Sequence, residues 1–357
     1  MSDLSRHYAG AGELGGSTPA APGNRTNVVA IKELLERARA DDIFVPVVDM
    51  KPVPKNTAET ATWRRIVNDE VSTDTITEGV NPDWQSISYE DVSGTFEERV
   101  EVYAVTSRAK TLSEDDHVAN SVDQLKDKIL RIRNAVGWSK WLAGTTVLYN
   151  DPAHSDRVDV DGPVTLGIIQ EAVRLLNDAK GEFYTEVDNG GLNNGTVGLE
   201  PSYMGLCHTN LLPDFRRVDG FTTPAEYGSA KAVSKYEKGS IENTRFLMSP
   251  ELTGFPGEGA DATSLNLKST DNSGPKVDVY PILICAKAAL GCADLKGTGK
   301  SGWGNIGVEI LDKPDKYDPA NLNTLVVGHW WDLQLILNDQ WVVRLEVGAT
   351  ADLTLLD

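Results

Sequence analysis

The chain has 357 residues, more than the ~250 to 300 at which a single hydrophobic core stops growing, so its length predicts two subdomains or a core with long appendages. Apolar residues make up 40% of the sequence and charged residues 24%, a folded, soluble composition that excludes a disordered or fibrous chain. With 34 basic and 53 acidic residues the formal charge is −19. Such a surface repels phosphate and argues against a general binder of nucleic acids or anionic membranes.

The cysteines and the apolar stretches indicate where the chain folds. Cys207, Cys285 and Cys292 are an odd number and form no C-x-x-C pair, which fits neither a disulfide framework nor a zinc ribbon, so we expect a reducing, intracellular compartment. Residues 1–16 contain no apolar core, so no secretory signal is expected. The most apolar stretch, residues 279–293, is shorter than the ~18 residues that span a bilayer, so we expect no membrane insertion.

The beginning of the chain indicates an arm. Residues 1–27 are rich in Gly, Pro, Ser and Thr and lack apolar periodicity, which is typical of a mobile or partner-ordered segment. A short helix is predicted over residues 28–38, where apolar residues recur at helical spacing and Asn27 is placed to cap the first turn.

A long hairpin is predicted next. From about residue 50 to 107 the pattern is strand-like, and Val100, Val102 and Ala104 alternate with their neighbours at period two. Gly79 and the Asn81-Pro82 dipeptide supply turn chemistry between the two arms. With about twelve residues per arm, the hairpin is expected to project ~40 Å. Since isolated two-stranded hairpins are marginal in water, we expect it to lie on something outside its own domain.

Two helices follow. Residues 112–142 carry the strongest helical periodicity, with a capping-box-like start formed by Ser113 and Asp116, and predict a helix about 40 Å long. A second helix is predicted over residues 166–179, with Gly181 as its C-terminal stop.

The remainder of the chain is predicted to contain mainly strands. The Gly- and Asn-rich residues 186–201 are expected to form a loop. Shorter elements are predicted as a helix at 224–227 and a strand at 244–248. Residues 277–293 and 306–311 are predicted to form buried strands, or a strand followed by a turn. The chain is expected to end in a hairpin, because apolar residues alternate on both sides of a turn at Asn338-Asp339.

Two motifs resemble ligand-binding loops, but each lacks residues that binding would require. Residues 296–301 resemble the end of a phosphate-binding loop, but Asp294 stands where its first glycine is needed, so we expect a flexible loop. Residues 159–162 match the middle of a calcium loop, but Arg157 and Ile168 stand at ligand positions, so we expect a turn. The sequence therefore predicts no cofactor and no metal site.

The remaining reactive and aromatic residues point to structure rather than catalysis. Cys207 and His208 are adjacent in sequence, whereas a nucleophile and its base must face each other in space, so a buried thiol beside a half-buried histidine is expected. No histidines show metal-ligand spacing. Trp330, Trp331 and Trp341 are expected in the core or in a subunit contact. The residues alone thus predict a non-enzymatic, self-associating α+β protein.

The order of arm, hairpin, long helix, mixed domain and returning strands resembles the major capsid protein of tailed bacteriophages, the Hong Kong 97 fold. Two segments make the resemblance more specific, because they are similar to the coat-protein family of the podovirus N-four. Residues 76–85, with Thr77-Glu78-Gly79-Val80 followed by Pro82, are similar to that family's T-E-G-V-x-P hairpin tip. The second segment comprises residues 277–297, 318–319, 328–331 and 337–346. The two segments cover somewhat under half of the chain.

This resemblance implies an α+β, Hong Kong 97-like capsid fold with five parts. They are an N-terminal arm (1–49), an extended β-hairpin loop (50–110), a peripheral domain with a long spine helix (111–164), an axial domain (165–320) and a return to the peripheral domain (321–357). It implies a coat protein that assembles with itself as pentamers and hexamers into an icosahedral shell around phage DNA, in the bacterial host cytoplasm. Scaffolding, cement or decoration, and portal proteins are further implied partners, and DNA is enclosed without sequence-specific binding.

The extended loop is where subunit contacts are expected. The apolar tip would be buried on the adjacent subunit, and Arg64 and Arg65 would pair with acidic residues of a neighbour. The predicted contact residues are Arg64, Arg65, Ile76, Glu78, Val80, Pro82, Trp84, Glu97, Glu98 and Glu101. Two alternatives remain: a cellular encapsulating shell of the same fold, or a soluble ligand-binding protein or enzyme of unrelated fold.

Overall fold

The computed structural model describes residues 43–54, 58–67, 75, 78–79, 81, 84, 86–113, 115–188, 196–227, 232–263, 265–270, 275–296, 307–314 and 318–352. Most of the predicted arm, with its helix at 28–38, lies outside the described residues, as does most of the glycine loop at 296–301, whereas residues 43–49 of the arm are described.

Fourteen strands and four α-helices occur in the described part of the chain. The strands are β1 (Asp49–Pro54), β2 (Thr60–Val67), β3 (Ser88–Thr95), β4 (Glu97–Thr106), β5 (Val147–Tyr149), β6 (Tyr184–Asp188), β7 (Thr196–Cys207), β8 (Glu237–Ile241), β9 (Thr244–Met248), β10 (Val279–Cys285), β11 (Leu290–Lys296), β12 (Gly307–Leu311), β13 (Asn323–Ile336) and β14 (Val342–Gly348). The helices are α1 (Ser107–Leu112), α2 (His117–Trp141), α3 (Leu166–Asp178) and α4 (Leu212–Phe215).

The strands form two large sheets and a separate hairpin. The five-stranded sheet has the order β1-β11-β13-β12, and β4 also pairs with β13. Since β4 and β12 both pair with residues 325–329 of β13, they lie on opposite edges of that strand. The seven-stranded sheet has the order β5-β14-β10-β7-β9-β8, with β6 on β7, and β2 pairs with β3 in a two-stranded sheet.

Helix α2 packs on one face of the five-stranded sheet. Leu125 and Ile129 of the helix form a buried cluster with Val326 and Trp330 of β13. A Cβ added at Gly328 would lie 2.7 Å from the Cδ1 atom of Ile129, so the absence of a side chain there permits the close approach of the helix. The 25-residue helix is about 37 Å long at ~1.5 Å per residue, close to the predicted length.

The start of α2 differs slightly from the prediction. Asp116 is its N-cap and accepts hydrogen bonds from the backbone N–H groups of Val118 and Ala119, both 3.1 Å long. Ser113 instead ends the separate short helix α1. An aspartate at the N-cap satisfies donors that the helix leaves free, and this selects residue 117 as the first helical position.

Helix α3 covers the seven-stranded sheet and occurs where the sequence predicts it. Ile169, Ala172 and Leu176 pack with apolar residues of β10 and β14. The helix ends as Lys180 takes a left-handed conformation with a φ of 54°, and the Gly181 N–H donates to the Leu176 carbonyl at 2.8 Å. This is the Schellman type of helix termination, in which a left-handed residue closes the last turn.

The predicted loop at 186–201 is wrong for its two ends. Residues 186–188 belong to β6 and residues 196–201 belong to β7, which pair with each other. Apart from Gly198, the glycines and asparagines that predicted a loop lie at 189–195, whereas the two paired ends carry the strand formers Val187, Thr196 and Val197. Residues 189–195 between them lie outside the described residues.

The predicted terminal hairpin is also wrong, although its two strands form. Strand β13 belongs to the five-stranded sheet and β14 to the seven-stranded sheet. Residues 279–285 pair with 342–348, and residues 290–294 pair with 332–336, so each half of this final segment pairs with the β10–β11 segment. The alternation of apolar and polar residues predicts a strand and its two faces, but it does not specify which other strand pairs with it.

Candidate subunit-contact surface

The β2–β3 hairpin packs on the rest of the subunit at its base. Ala61 and Trp63 pack with Leu333 and Leu335 of β13 in a cluster around Phe96. The Phe96 N–H donates to the Glu59 carbonyl at 3.1 Å, where the chain passes from the hairpin into β4. The paired arms have eight residues each, not about twelve, because the returning strand leaves the hairpin after Thr95 and pairs with β13 as β4.

Two cross-strand ion pairs lie in the middle of the hairpin. Arg64 donates two hydrogen bonds to the carboxylate of Asp91, at 2.6 and 2.7 Å. Arg65 donates two to Glu90, at 2.8 and 2.5 Å. Hydrogen bonding from Arg64 lowers the pKa of Asp91. These pairs are exposed, so each adds little stability, but they align the two arms.

Beyond the ion pairs the hairpin exposes large apolar side chains. Ile66 and Ile87 are each 62% exposed, Trp84 is 96% exposed, and Tyr89 and Val67 are also exposed. Apolar side chains grouped at the end of a projecting element are typical of a surface that another molecule covers. Within the described residues, no other part of the chain buries them.

The predicted contact residues at the hairpin tip are only partly described. Glu78 and Trp84 are exposed, and Gly79 has a φ of 84°, which fits the predicted turn. Ile76, Val80 and Pro82 lie outside the described residues.

The three predicted acidic contacts lie on β4 and have partners within the chain. Glu97 accepts a hydrogen bond from Lys140 at 2.9 Å and also pairs with Arg99, Glu98 pairs with His329, and Glu101 accepts from Lys128 at 2.6 Å. Hydrogen bonding from Lys140 lowers the pKa of Glu97, and hydrogen bonding to Glu101 raises that of Lys128. Contact of these carboxylates with a neighbouring subunit stays a prediction.

A cleft separates the hairpin from the body of the molecule. It has a volume of about 620 Å³. Its walls are one side of β2, with Trp63 and Arg65, and the loops around Lys180, Ala288 and Gln340. The hairpin therefore stands away from the seven-stranded sheet over part of its length.

Comparisons with known proteins identify the fold. No protein-family model matches the sequence, and no curated protein is significantly similar to it. Among solved structures, the capsid of Ralstonia phage GP4 matches 96% of this chain and 99% of its own, at 12% identity and a TM-score of 0.60. The chain has the Hong Kong 97-like fold of phage capsid proteins.

Further structures show the same capsid fold. The cyanophage Pam1 capsid matches 95% of this chain and 100% of its own, at 12% identity and a TM-score of 0.60. The head of Helicobacter pylori bacteriophage KHP40 matches 94% and 98%, at 13% identity and a TM-score of 0.58. These matches confirm the predicted fold class. They cover nearly the whole length of both chains.

The three cysteines, the candidate nucleophiles, lie in the core. Cys207, Cys285 and Cys292 are free and buried, and burial raises the pKa of the Cys285 thiol to about 12. His208 is half-buried beside Cys207, as predicted. Within the described residues, no group of histidine, cysteine or acidic side chains has the geometry of a metal site. No helix there combines the length and apolar character needed to cross a membrane.

The predicted structural tryptophans are confirmed. Trp330 is buried against α2, and Trp331 packs in the cluster at the base of the hairpin. The Trp341 indole N–H donates to the Ala179 carbonyl at 3.0 Å. All three join elements of the capsid fold rather than forming a ligand cage.

One exposed surface was missed by the sequence reasoning. Val100 and Val102 of β4 are half-exposed, on the opposite face from Arg99, Glu101 and Tyr103, which face α2. The alternation of β4 predicts two faces, but both carry apolar residues. Only the position of α2 decides which face is covered.

Proposed function

We propose that this chain is the major capsid protein of a bacteriophage, which assembles with itself as pentamers and hexamers into an icosahedral shell around DNA. The observation that carries the proposal is the match of nearly the whole chain to several phage capsid structures. An exposed apolar hairpin tip supports it, because such a surface is costly for a subunit that stays alone.

The hairpin would act as the extended loop of the capsid subunit. Trp84, together with Ile76 and Val80, would be buried on the adjacent subunit at ~25 cal/mol per Å² of apolar surface. Arg64 and Arg65 would share their charge with Glu97, Glu98 or Glu101 of that neighbour. Each contact is weak, and its repetition around closed rings would stabilise the shell.

The proposed division of the subunit follows the two large sheets. The peripheral domain would contain α2 and the five-stranded sheet, and the axial domain would contain α3 and much of the seven-stranded sheet. Since β11 and β12 pair with β13, we place these two strands with the peripheral domain, although they lie within residues 165–320. The arm, residues 1–49, would end at Asp49, the first residue of β1, which pairs with β11.

The charge of the chain agrees with enclosure of DNA without tight binding. At −19 the subunit repels phosphates on average. Packing and release of DNA would then meet little resistance from the shell wall. Assembly in the host cytoplasm, with scaffolding, decoration and portal proteins as further partners, belongs to the same proposal.

Sedimentation of the purified full chain tests the proposal. Assembly is measured by analytical ultracentrifugation, with negative-stain images of any fast fraction. Uniform polyhedral shells, or rings of five and six subunits, are expected. A chain that remains a monomer when co-expressed with the scaffolding protein of its own genome would contradict the proposal. Shells that contain a cargo enzyme instead of DNA would identify a cellular compartment.

A further inference from the structure

Strand β4 has one edge without a pairing partner among the described residues. It is ten residues long and pairs with β13 along its whole length, without a register shift. Within the described part of the chain, no strand or isolated bridge pairs with its other edge. Every second residue of such a strand directs its backbone N–H and C=O away from the sheet, so β4 presents a row of hydrogen-bonding groups.

The other outer strands of the two large sheets are unsuited to pairing with another chain. β1 contains Pro52 and Pro54, which lack backbone N–H groups. β5 has three residues and β12 has five. β6 and β8 each contain a register shift. Short strands, prolines and irregular registers block edge-to-edge pairing, and β4 has none of these features.

The side chains beside this edge differ on the two faces of the sheet. On the inner face Glu101 is paired with Lys128, whose Nζ atom lies 5.8 Å from the centre of the Tyr103 ring. On the outer face Val100 is 52% exposed and Val102 is 50% exposed. A second strand along this edge would cover apolar side chains on the outer face without displacing the ion pairs of the inner face.

The charges of β4 favour a second copy of the same strand in antiparallel orientation. All four charged residues lie in its first half, Glu97–Glu101, and Val102–Thr106 are uncharged. With Val102 opposite Val102, Glu98 faces Thr106, Val100 faces Ala104 and Glu101 faces Tyr103. Charged residues then face only uncharged ones. If the two strands were instead paired with Glu101 opposite Glu101, two like charges would face each other, which is destabilising.

We propose that β4 of one subunit pairs with β4 of a second copy across a two-fold axis at Val102, which extends the five-stranded sheet across the subunit boundary. The same surface would serve both partners, as a two-fold contact requires. The inference rests on the proposed assembly function and names a contact separate from the hairpin.

Disulfide trapping tests this contact. Val102→Cys is introduced into the full chain, and assembled material is treated with a mild oxidant and examined on a non-reducing gel. In the proposed register the two introduced thiols face each other within the distance that a disulfide spans. The three native cysteines are buried, so they contribute little background.

Val100→Cys is the matched control, because it lies on the same strand and face with nearly the same exposure. Its two copies would be four positions apart along the strands, about 13 Å, too far for a disulfide. We expect Val102→Cys to give at least about fivefold more covalent dimer than Val100→Cys. The double variant Val100→Cys with Ala104→Cys should restore cross-linking.

The outcomes separate this inference from the proposed function. Normal shells with no Val102→Cys dimer, or with equal dimer from Val100→Cys, would overturn the β4 contact and leave the capsid proposal intact. Dimer that appears only after deletion of residues 1–42 would also overturn it, because the arm would then occupy the edge. Dimer without shells would support the contact and count against the capsid proposal.

Discussion

Arg157 donates hydrogen bonds from Nε and Nη2 to the two carboxylate oxygens of Glu346, each 2.8 Å long. Glu346 is fully buried in β14, and the Nε atom of Arg344 also lies 3.0 Å from its Oε1 atom. Arg157 lies in a 3-10 turn 189 residues earlier in the chain. The pair therefore ties the segment between the two long helices to the last strand.

Loss of the Glu346 carboxylate should strongly destabilise the subunit. Glu346→Ala leaves the Arg157 and Arg344 guanidinium groups without their buried partner, and we expect a loss of about 3 to 5 kcal/mol in the free energy of unfolding. Glu258→Ala is the control, since Glu258 also pairs with Arg157 but is exposed, and it should cost less than about 1 kcal/mol. Denaturant unfolding measures both. Equal effects of the two variants would contradict this assignment.

Removal of the hairpin tip should abolish assembly and preserve folding. Val67 and Ser88 are paired across the hairpin, so residues 68–87 can be replaced by an Asn-Gly turn. None of the described core residues lies in that segment. We expect a melting temperature near that of the wild type and no fast-sedimenting species. Shells of normal size from this variant would show that the tip is not a subunit contact.

A milder variant of the tip controls for the deletion. Trp84 is almost fully exposed, so Trp84→Ala should change the stability of the subunit by less than about 0.5 kcal/mol. Because the proposed contact buries this indole, we expect the variant to assemble only at higher protein concentration. Light scattering over a concentration series measures the effect.

Arg64 and Arg65 can align the two arms of the hairpin or contact a neighbouring subunit, and charge exchange distinguishes these two roles. Reversal of both arginines to glutamate breaks the pairs with Asp91 and Glu90 and should reduce assembly. A second variant also changes Asp91 and Glu90 to arginine, which restores both pairs within the hairpin. If the arginines contact a neighbour's acidic residues, this restored hairpin should still assemble poorly. Full recovery of assembly would assign the arginines to hairpin alignment alone.

His208 should make the subunit less stable in mild acid. Burial, followed by the nearby charge of Lys268, lowers the pKa of His208. The ordinary pKa of histidine, about 6.5, applies to the unfolded chain. At pH values between the lowered pKa and this ordinary pKa, the unfolded chain binds more protons than the folded chain, so the free energy of unfolding increases with pH. The stability that the neutral, buried His208 contributes is therefore complete above pH ~6.5 and is lost as the pH falls.

His208→Asn tests this dependence. The His208 Nδ1 atom accepts a hydrogen bond from the Asn210 N–H at 2.9 Å, and an asparagine side chain supplies a similar acceptor. We expect the variant to lose less unfolding free energy than the wild type between about pH 7.5 and about pH 5. Urea titrations at both values measure it. An unchanged difference between the two pH values would exclude His208 as the cause.

Much of the fold follows from local patterns in the sequence. The periodicity of residues 112–142 and 166–179 predicts α2 and α3, since a helix buries residues three and four positions apart. The strand at 244–248 occurs with the predicted bounds. The turn at Gly79 has the left-handed backbone that its glycine permits. Each of these features depends on neighbours within one or two turns of chain.

The pairing of strands depended on contacts distant in sequence. The sequence pattern predicts β4 as the returning arm of a hairpin, but the strand pairs with β13, which lies more than 200 residues later in the chain. β13 and β14 read as one hairpin, yet they belong to different sheets. Alternation specifies the two faces of a strand, and the choice of partner depends on how the whole core closes.

The sequence by itself thus determined helices α2 and α3, the strand at 244–248 and the turn at Gly79, because each depends on local composition or periodicity. Only the tertiary structure decided that Glu97, Glu98 and Glu101 have partners within the chain, that Val100 and Val102 face outward, and that no described strand pairs with the second edge of β4. Those properties depend on which face α2 covers and which edge β13 occupies. They arise when separate elements pack together, from 27 residues apart for Glu101 and Lys128 to 231 for Glu98 and His329, and no local pattern encodes them.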